Sequence, residues 1–280
     1  LFKALAGDGP TAPLAHRKTQ RQTTTSVLSF VAFFSLISTG IFGPRDPLQN
    51  LLPLTLFTVW WICLPILQVV FGDLWRWINP WDGPVHMAFK GNSLANLPQK
   101  FGVWPALIGY CLAAVYTLTD LAPDDPDRLA KVAAGYWLFT FIMCGIFGKN
   151  WLHRGEGFTV FFDLIAQLSL IRYRPFGVRF PGQAMIALPP QGISVAFFAV
   201  VMLALGSFDG LNETFWWMSQ LGINPLEFPG RSAIAWQNRF GMGGAIVFLT
   251  AGFAVCVWIG LALIDHTASF KNLFCRIRFI

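Results

Sequence analysis

The chain alternates long apolar runs with short breaks rich in Pro, Gly and charged residues. A helix needs roughly 20 predominantly apolar residues to cross a bilayer core. Six runs come close enough to that length to predict spanning helices at about 26–42, 51–71, 101–121, 129–147, 193–208 and 242–264. Pro65 lies well inside the second run and removes one backbone donor, which predicts a kink there. A further run at 158–171 is too short to cross. Its polar residues Thr159, Asp163 and Gln167 recur at every fourth position, and basic residues flank it, among them Arg172, Arg174 and Arg179. This pattern predicts an amphipathic helix lying in the interface, with a buried re-entrant segment as the other reading. Phe215-Trp216-Trp217-Met218 predicts a second interfacial element within the loop at 209–241. The fold class is an all-α integral membrane protein with about six transmembrane helices and one or two interfacial helices. Residues 25–265 form a single transmembrane domain, flanked by polar, basic segments at 1–24 and 266–280.

The break after the second run carries the most local signal. Phe71–His86 passes within a few residues from hydrocarbon-like to charged, aromatic and turn-forming sequence. Trp75, Trp77 and Trp81 have the amphipathic rings favoured at the headgroup level. Asn79-Pro80 and Gly83-Pro84 are turn signals. The stretch predicts a shelf at the membrane surface, where Asp73, Arg76, Asp82 and His86 face water or pair with one another. Its start has an echo. Phe71-Gly72-Asp73-Leu74-Trp75 and Phe147-Gly148-Lys149-Asn150-Trp151 each leave a span through Phe-Gly, with Trp three residues after the Gly. If two hairpins repeat with the same orientation, Asp73 and Lys149 hold equivalent places and lie near each other.

Composition supports the membrane reading. The 280 residues are 55% hydrophobic and 12% charged, against roughly 25% charged in soluble domains. The net charge of +6 belongs to the loops. With the N-terminus placed inside, only Arg45, Arg128, Lys131, Arg231 and Arg239 of the 20 Lys and Arg fall on outer segments. The inner segments hold the remainder, including Lys3, Arg17, Lys18, Arg21, Lys271, Arg276 and Arg278. This follows the positive-inside rule, places both termini in the cytoplasm and makes nucleic acid an unneeded partner. No small-residue cleavage site follows the first span, so no cleavable signal peptide is expected. Cys63, Cys111, Cys144, Cys256 and Cys275 lack Cys-x-x-Cys spacing and read as reduced packing residues.

The chemistry begins with an absence in the sequence. No Asp, Glu, Lys, Arg or His lies near the middle of a predicted span. Proton pumping and ion-coupled transport need such groups, and His16, His86, His153 and His266 are too peripheral for a membrane haem. No haem, zinc or nucleotide motif is present. A polar cluster on the cytoplasmic face remains: Asp73, Arg76, Lys149 and Arg154, with Asp82, His86, His153 and Glu156. His153 and Glu156 are i, i+3 and share a face on a helix. Together with His86 and Asp82 they form a candidate two-histidine, two-carboxylate catalytic site. The alternative is that these groups pair with each other and with lipid phosphates. On the outer side, Asp209, Glu213, Glu227, Arg231 and Arg239 are available, and Ser207-Phe208-Asp209-Gly210 reads as a compact turn capping the next helix. In the last span Gly252, Cys256 and Gly260 recur every four residues, a small-residue stripe that admits another helix.

Three of these stretches resemble signatures of one family. They are Gly72-Asp73-Leu74-Trp75-Arg76 with Asn79-Pro80-Trp81, then Trp151 followed by Arg154-Gly155-Glu156-Gly157-Phe158-Thr159-Val160-Phe161-Phe162, then Leu205-Gly206-Ser207-Phe208-Asp209-Gly210 with Thr214-Phe215-Trp216. In this order they resemble the bacterial polytopic membrane family named for fenitrothion hydrolase, over about 71–217. The resemblance implies a bacterial inner-membrane protein and organophosphate ester hydrolysis. It assigns no catalytic residue. Two functions stay open: a non-catalytic subunit or scaffold packing against other transmembrane helices, and a membrane-bound phosphotriester hydrolase using the His/carboxylate cluster.

Overall fold

The computed structural model of the protein describes residues 20–173, 176–186, 188, 192–224, 226 and 234–264. The expectations for Lys3, His16, Arg17, Lys18, Arg174, Glu227, Arg231, His266, Lys271, Cys275, Arg276 and Arg278 lie outside these residues. In chain order the main helices are α1 (Gln20–Phe42), α2 (Leu51–Phe71), α3 (Trp75–Ile78), α4 (Asp82–Phe89), α5 (Trp104–Thr119), α6 (Pro126–Phe147), α7 (Lys149–Arg154), α8 (Gly157–Ala166), α9 (Ile193–Asn212), α10 (Phe215–Gln220) and α11 (Ala235–Ile264), with one further turn of helix at Gln183–Ile186. A short antiparallel pair, β1 (Ile171–Tyr173) and β2 (Phe176–Val178), follows α8. Among the described residues α1, α2, α6, α9 and α11 are long and apolar enough to cross a membrane. The chain is an all-α, multi-pass integral membrane protein whose apolar helices belong in a lipid bilayer.

The third predicted run forms a shorter helix than its apolar length suggests. A 3-10 turn takes Gln99–Phe101, and Gly102 is left-handed at φ 48°. At the other end Asp120 is extended, which leaves 16 residues in α5. The winding of α2 changes just before Pro65. Leu54–Cys63 winds as a π-helix, in which the Leu64 N–H reaches Val59 O. The α register resumes at Leu64, and Pro65 is its second residue.

The described helices cluster into two compact units, one within Leu1–Phe101 and Asp124–Pro189, the other within Gly102–Pro123 and Pro190–Ile280. In the first unit the end of α1 meets the starts of both α2 and α6. A Cβ on Gly40 would lie 2.5 Å from Leu52 and 2.9 Å from Ala130, so only Gly permits the approach. The helices α2 and α6 therefore run in the same direction. The turn between α1 and α2 is held by Asn50, which is fully buried. Its Oδ1 accepts the Leu52 N–H at 3.0 Å, and its Nδ2 donates to Thr39 O and Pro44 O, each at 2.8 Å. Replacing this cap with Ala, Asn50→Ala, should cost about 2 kcal/mol. Thermal unfolding in mild detergent measures it, and an unchanged midpoint would remove Asn50 from the argument.

In the second unit α5 packs on α9 through Tyr110 and Phe198, with ring centroids 5.3 Å apart, and through the Val103 N–H, which donates to Ser194 Oγ at 3.2 Å. Gly241 on α11 opens a place for Phe208 and Trp217, whose rings would lie 2.7 Å from a Cβ there. The Trp217 indole N–H donates to Asn238 Oδ1 at 2.9 Å, and Arg239 Nε donates to Thr119 Oγ1 at 3.3 Å. Ser207-Phe208-Asp209-Gly210 is not a turn. Burial of Phe208 carries α9 through it to Asn212. The cap of α10 is Thr214, whose Oγ1 accepts the Trp217 N–H at 3.2 Å.

Candidate functional site

The spanning helices α2 and α6 end on the same backbone device. Gly72 has φ 84° and ψ −157°, and Gly148 has φ 67° and ψ −159°. This region is essentially closed to residues with a Cβ. After each glycine the chain turns back along the helix it has just left. Trp75 then sits 6.0 Å from Trp60, near the midpoint of α2. Trp151 stacks on Phe147 at 5.7 Å and meets Phe139 edge-on at 6.0 Å along α6. The first hairpin, α3–α4, has its tip at Asn79-Pro80. There Trp81 Nε1 donates to Trp137 O at 3.0 Å and Trp137 Nε1 donates to Pro80 O at 3.4 Å. Trp137 lies near the midpoint of the 22-residue α6. From the tip, α4 descends to Phe89, which fills the space beside Gly145 near the end of α6.

The second hairpin, α7–α8, has its tip at Gly155-Glu156. Its α8 descends along the last part of α2 from Phe158, 4.6 Å from the Trp60 ring, and the chain beyond α8 continues to Leu170, whose N–H donates to Val69 O at 2.8 Å. The echo read in the sequence is thus a structural repeat: two re-entrant hairpins entering the unit from one end. The interfacial helix expected at 158–171 is the shorter α8. Val160, Phe161, Phe162, Leu164 and Ile165 are all buried, so its apolar residues pack within the protein. Trp75 and Trp81, expected at headgroup level, are likewise buried, at 3% and 4% exposure. Only Trp77 keeps an exposed face.

The two tips meet in a closed polar network around Glu156, which is fully buried. Its Oε1 accepts the Tyr136 hydroxyl, from mid-α6, and the Phe158 N–H at 2.9 Å. Its Oε2 accepts the Thr159 N–H and the Thr159 hydroxyl, both at 2.6 Å. Four donors thus converge on the two carboxyl oxygens at the N-terminus of α8. Thr159 Oγ1 in turn accepts from Trp75 Nε1 at 3.1 Å and from Asn79 Nδ2 at 3.3 Å, so it is also saturated. Asn79 Oδ1 accepts the Trp81 N–H, and its carbonyl accepts the Ser26 hydroxyl from α1. One layer out, Gln68 Oε1 accepts the Trp75 N–H at 2.7 Å and Nε2 donates to Phe162 O at 2.9 Å. The repeat is asymmetric at one point. The Trp75 indole N–H is satisfied, while that of Trp151 has no acceptor among the described residues.

The expected metal-type site is not assembled. Among the described residues no three His, Cys, Asp or Glu side chains converge to hold a metal ion. Glu156 is committed to the tip network, while His153 and His86 are exposed. Asp82 lies 3.9 Å from Lys149 Nζ, so Lys149 pairs with Asp82 and not with Asp73. Asp73 accepts the Arg76 N–H at 3.0 Å beside the start of α3. With the Gln22 amide oriented so that its oxygen faces Arg76, it accepts from the guanidinium at 2.7 and 2.8 Å. Arg154 clamps a neighbouring loop, donating to Pro98 O at 3.1 Å and Gln99 O at 2.9 Å. The polar cluster is therefore several local pairings. In the last span Gly252 and Gly260 meet no atom within 4 Å of a Cβ position, and Cys256 is an exposed free thiol.

No ionisable residue lies near the middle of a predicted span in the sequence, but the fold brings Glu156 in from outside the spans. It arrives by re-entry from the loop, beside the middle of α6. Of its partners, Thr159 was visible as a polar position on the short apolar run. Tyr136 and Gln68 are lone polar groups in apolar runs, a signal that marks burial without naming the partner. The geometry defines a class: a multi-pass helical membrane protein with paired re-entrant hairpins closed over a buried carboxylate. Comparison with family models, curated proteins and solved structures finds no match to the chain.

Proposed function

We propose that the chain is a non-catalytic helical subunit of the bacterial inner membrane, with both termini cytoplasmic, that packs against transmembrane helices of a larger assembly. The charge distribution over the loops supports the orientation. The observation that carries the role is the α11 stripe. Only 6% of the most apolar stretch of α11 is buried, and Gly252, Cys256 and Gly260 present a flat face to which no described residue is fitted. Small residues at this spacing let two helix backbones approach closely in lipid. The Glu156 network supports the reading from the other side, because its donors and acceptors are spent on holding the hairpins.

Native mass analysis in mild detergent tests this. The parent should run as a complex heavier than one chain. Gly252→Leu combined with Gly260→Leu should release the single chain while leaving its thermal midpoint unchanged. A parent of single-chain mass would refute the subunit role. Turnover of a paraoxon-type phosphotriester that disappears in His153→Ala would favour instead the hydrolase implied by the resemblance.

A further inference from the structure

The helices α1 and α4 touch where Gly83 has no side chain. A Cβ there would lie 2.9 Å from Val27 and 3.0 Å from the Thr23 carbonyl, and the Gly83 N–H donates to Ser26 Oγ at 2.6 Å. Toward the end of α4 the same two helices leave an open cavity of about 600 Å³ between Thr23, Val27 and Leu28 on one side and His86, Met87 and Lys90 on the other. Two chemistries meet in it. Leu28 and Met87 are apolar and 63% and 62% exposed. Lys90 and His86 supply a cation and an imidazole, and neither is ion-paired among the described residues. Lys90 is also the one non-glycine residue among the described residues with a left-handed backbone, at φ 51°, directly before Gly91 at φ 90°. A glycine would take that conformation without strain, so the helix end keeps an ammonium group at some conformational cost.

We propose that this groove binds one anionic phospholipid, with its phosphate on Lys90 and His86 and an acyl chain along Val27, Leu28 and Met87. Basic pockets between transmembrane helices attract anionic headgroups. The apolar wall adds a requirement that a free phosphate does not meet. Lipid is also the medium that surrounds α1.

The full chain, reconstituted in nanodiscs of phosphatidylglycerol mixed with phosphatidylcholine and released for native mass spectrometry, gives the test. The parent should retain phosphatidylglycerol over phosphatidylcholine by about fivefold or more. His86→Ala with Lys90→Ala should abolish that preference, and Lys131→Ala, on the first turns of α6, should not change it. Lys90→Gly separates binding from folding: it should hold or raise the melting temperature while weakening the preference. Equal retention of both lipids by the parent, an undiminished preference in the double variant, or displacement of the lipid by inorganic phosphate alone would each overturn the proposal.

Discussion

Glu156→Ala should destabilise the protein by about 3–5 kcal/mol, a large loss for one substitution, because it strands several buried donors at once. The carboxylate takes four hydrogen bonds, from the Tyr136 and Thr159 hydroxyls and the Phe158 and Thr159 N–H groups. Removing it strands these buried donors, at roughly 1–3 kcal/mol for each one left unmade. Relaxation of the α8 N-terminus recovers part of that. Glu156→Gln should rescue little. Its amide nitrogen would face donors, and Thr159 Oγ1 already accepts from Trp75 and Asn79. Tyr136→Phe removes one donor and should cost about 1.5–3 kcal/mol. Combined with Glu156→Ala it should cost less than the sum, because both act on one network. Equilibrium unfolding in detergent measures all four variants. A Glu156→Ala loss below about 1 kcal/mol would mean the network does not hold the tips.

Gly72→Ala and Gly148→Ala should each cost about 1–3 kcal/mol through backbone strain alone. At Gly72 the nearest atom to a new Cβ is 3.6 Å away, so strain is the whole effect. At Gly148 the Cβ would also press Ser93 at 3.1 Å, which makes it the worse of the pair. Gly135→Ala is the control. It lies within α6 with nothing inside 4 Å, and helix propensity predicts a gain of up to about 1 kcal/mol. If Gly72→Ala behaves like Gly135→Ala, the re-entrant turn after α2 is not the strained hinge described.

The spanning helices were legible because lipid imposes one rule on every crossing: a long run without charge. Even the hairpin repeat left a trace, the Phe-Gly-x-x-Trp spacing at Gly72 and Gly148. What could not be read was the direction of the chain after each glycine. A surface shelf and a re-entrant hairpin share charged, aromatic and turn-forming residues, and only packing separates them. Trp75 illustrates this: an indole suits the interface, but it also suits a core where its N–H finds an acceptor such as Thr159. Glu156 reads as a loop residue for the same reason. At Ser207–Gly210 the turn-forming composition was a true local preference, overridden when Phe208 was buried against Trp217.

The shared Thr159 hydroxyl constrains how the protein is made. Trp75 and Asn79 donate to a residue synthesised 84 and 80 positions after them. Until the ribosome delivers that acceptor, the earlier hairpin carries donors that hydrocarbon cannot satisfy, and it stays at the water boundary. The crossing helices can enter the bilayer in the order of translation, but the two hairpins should go in as a pair, after the second has emerged.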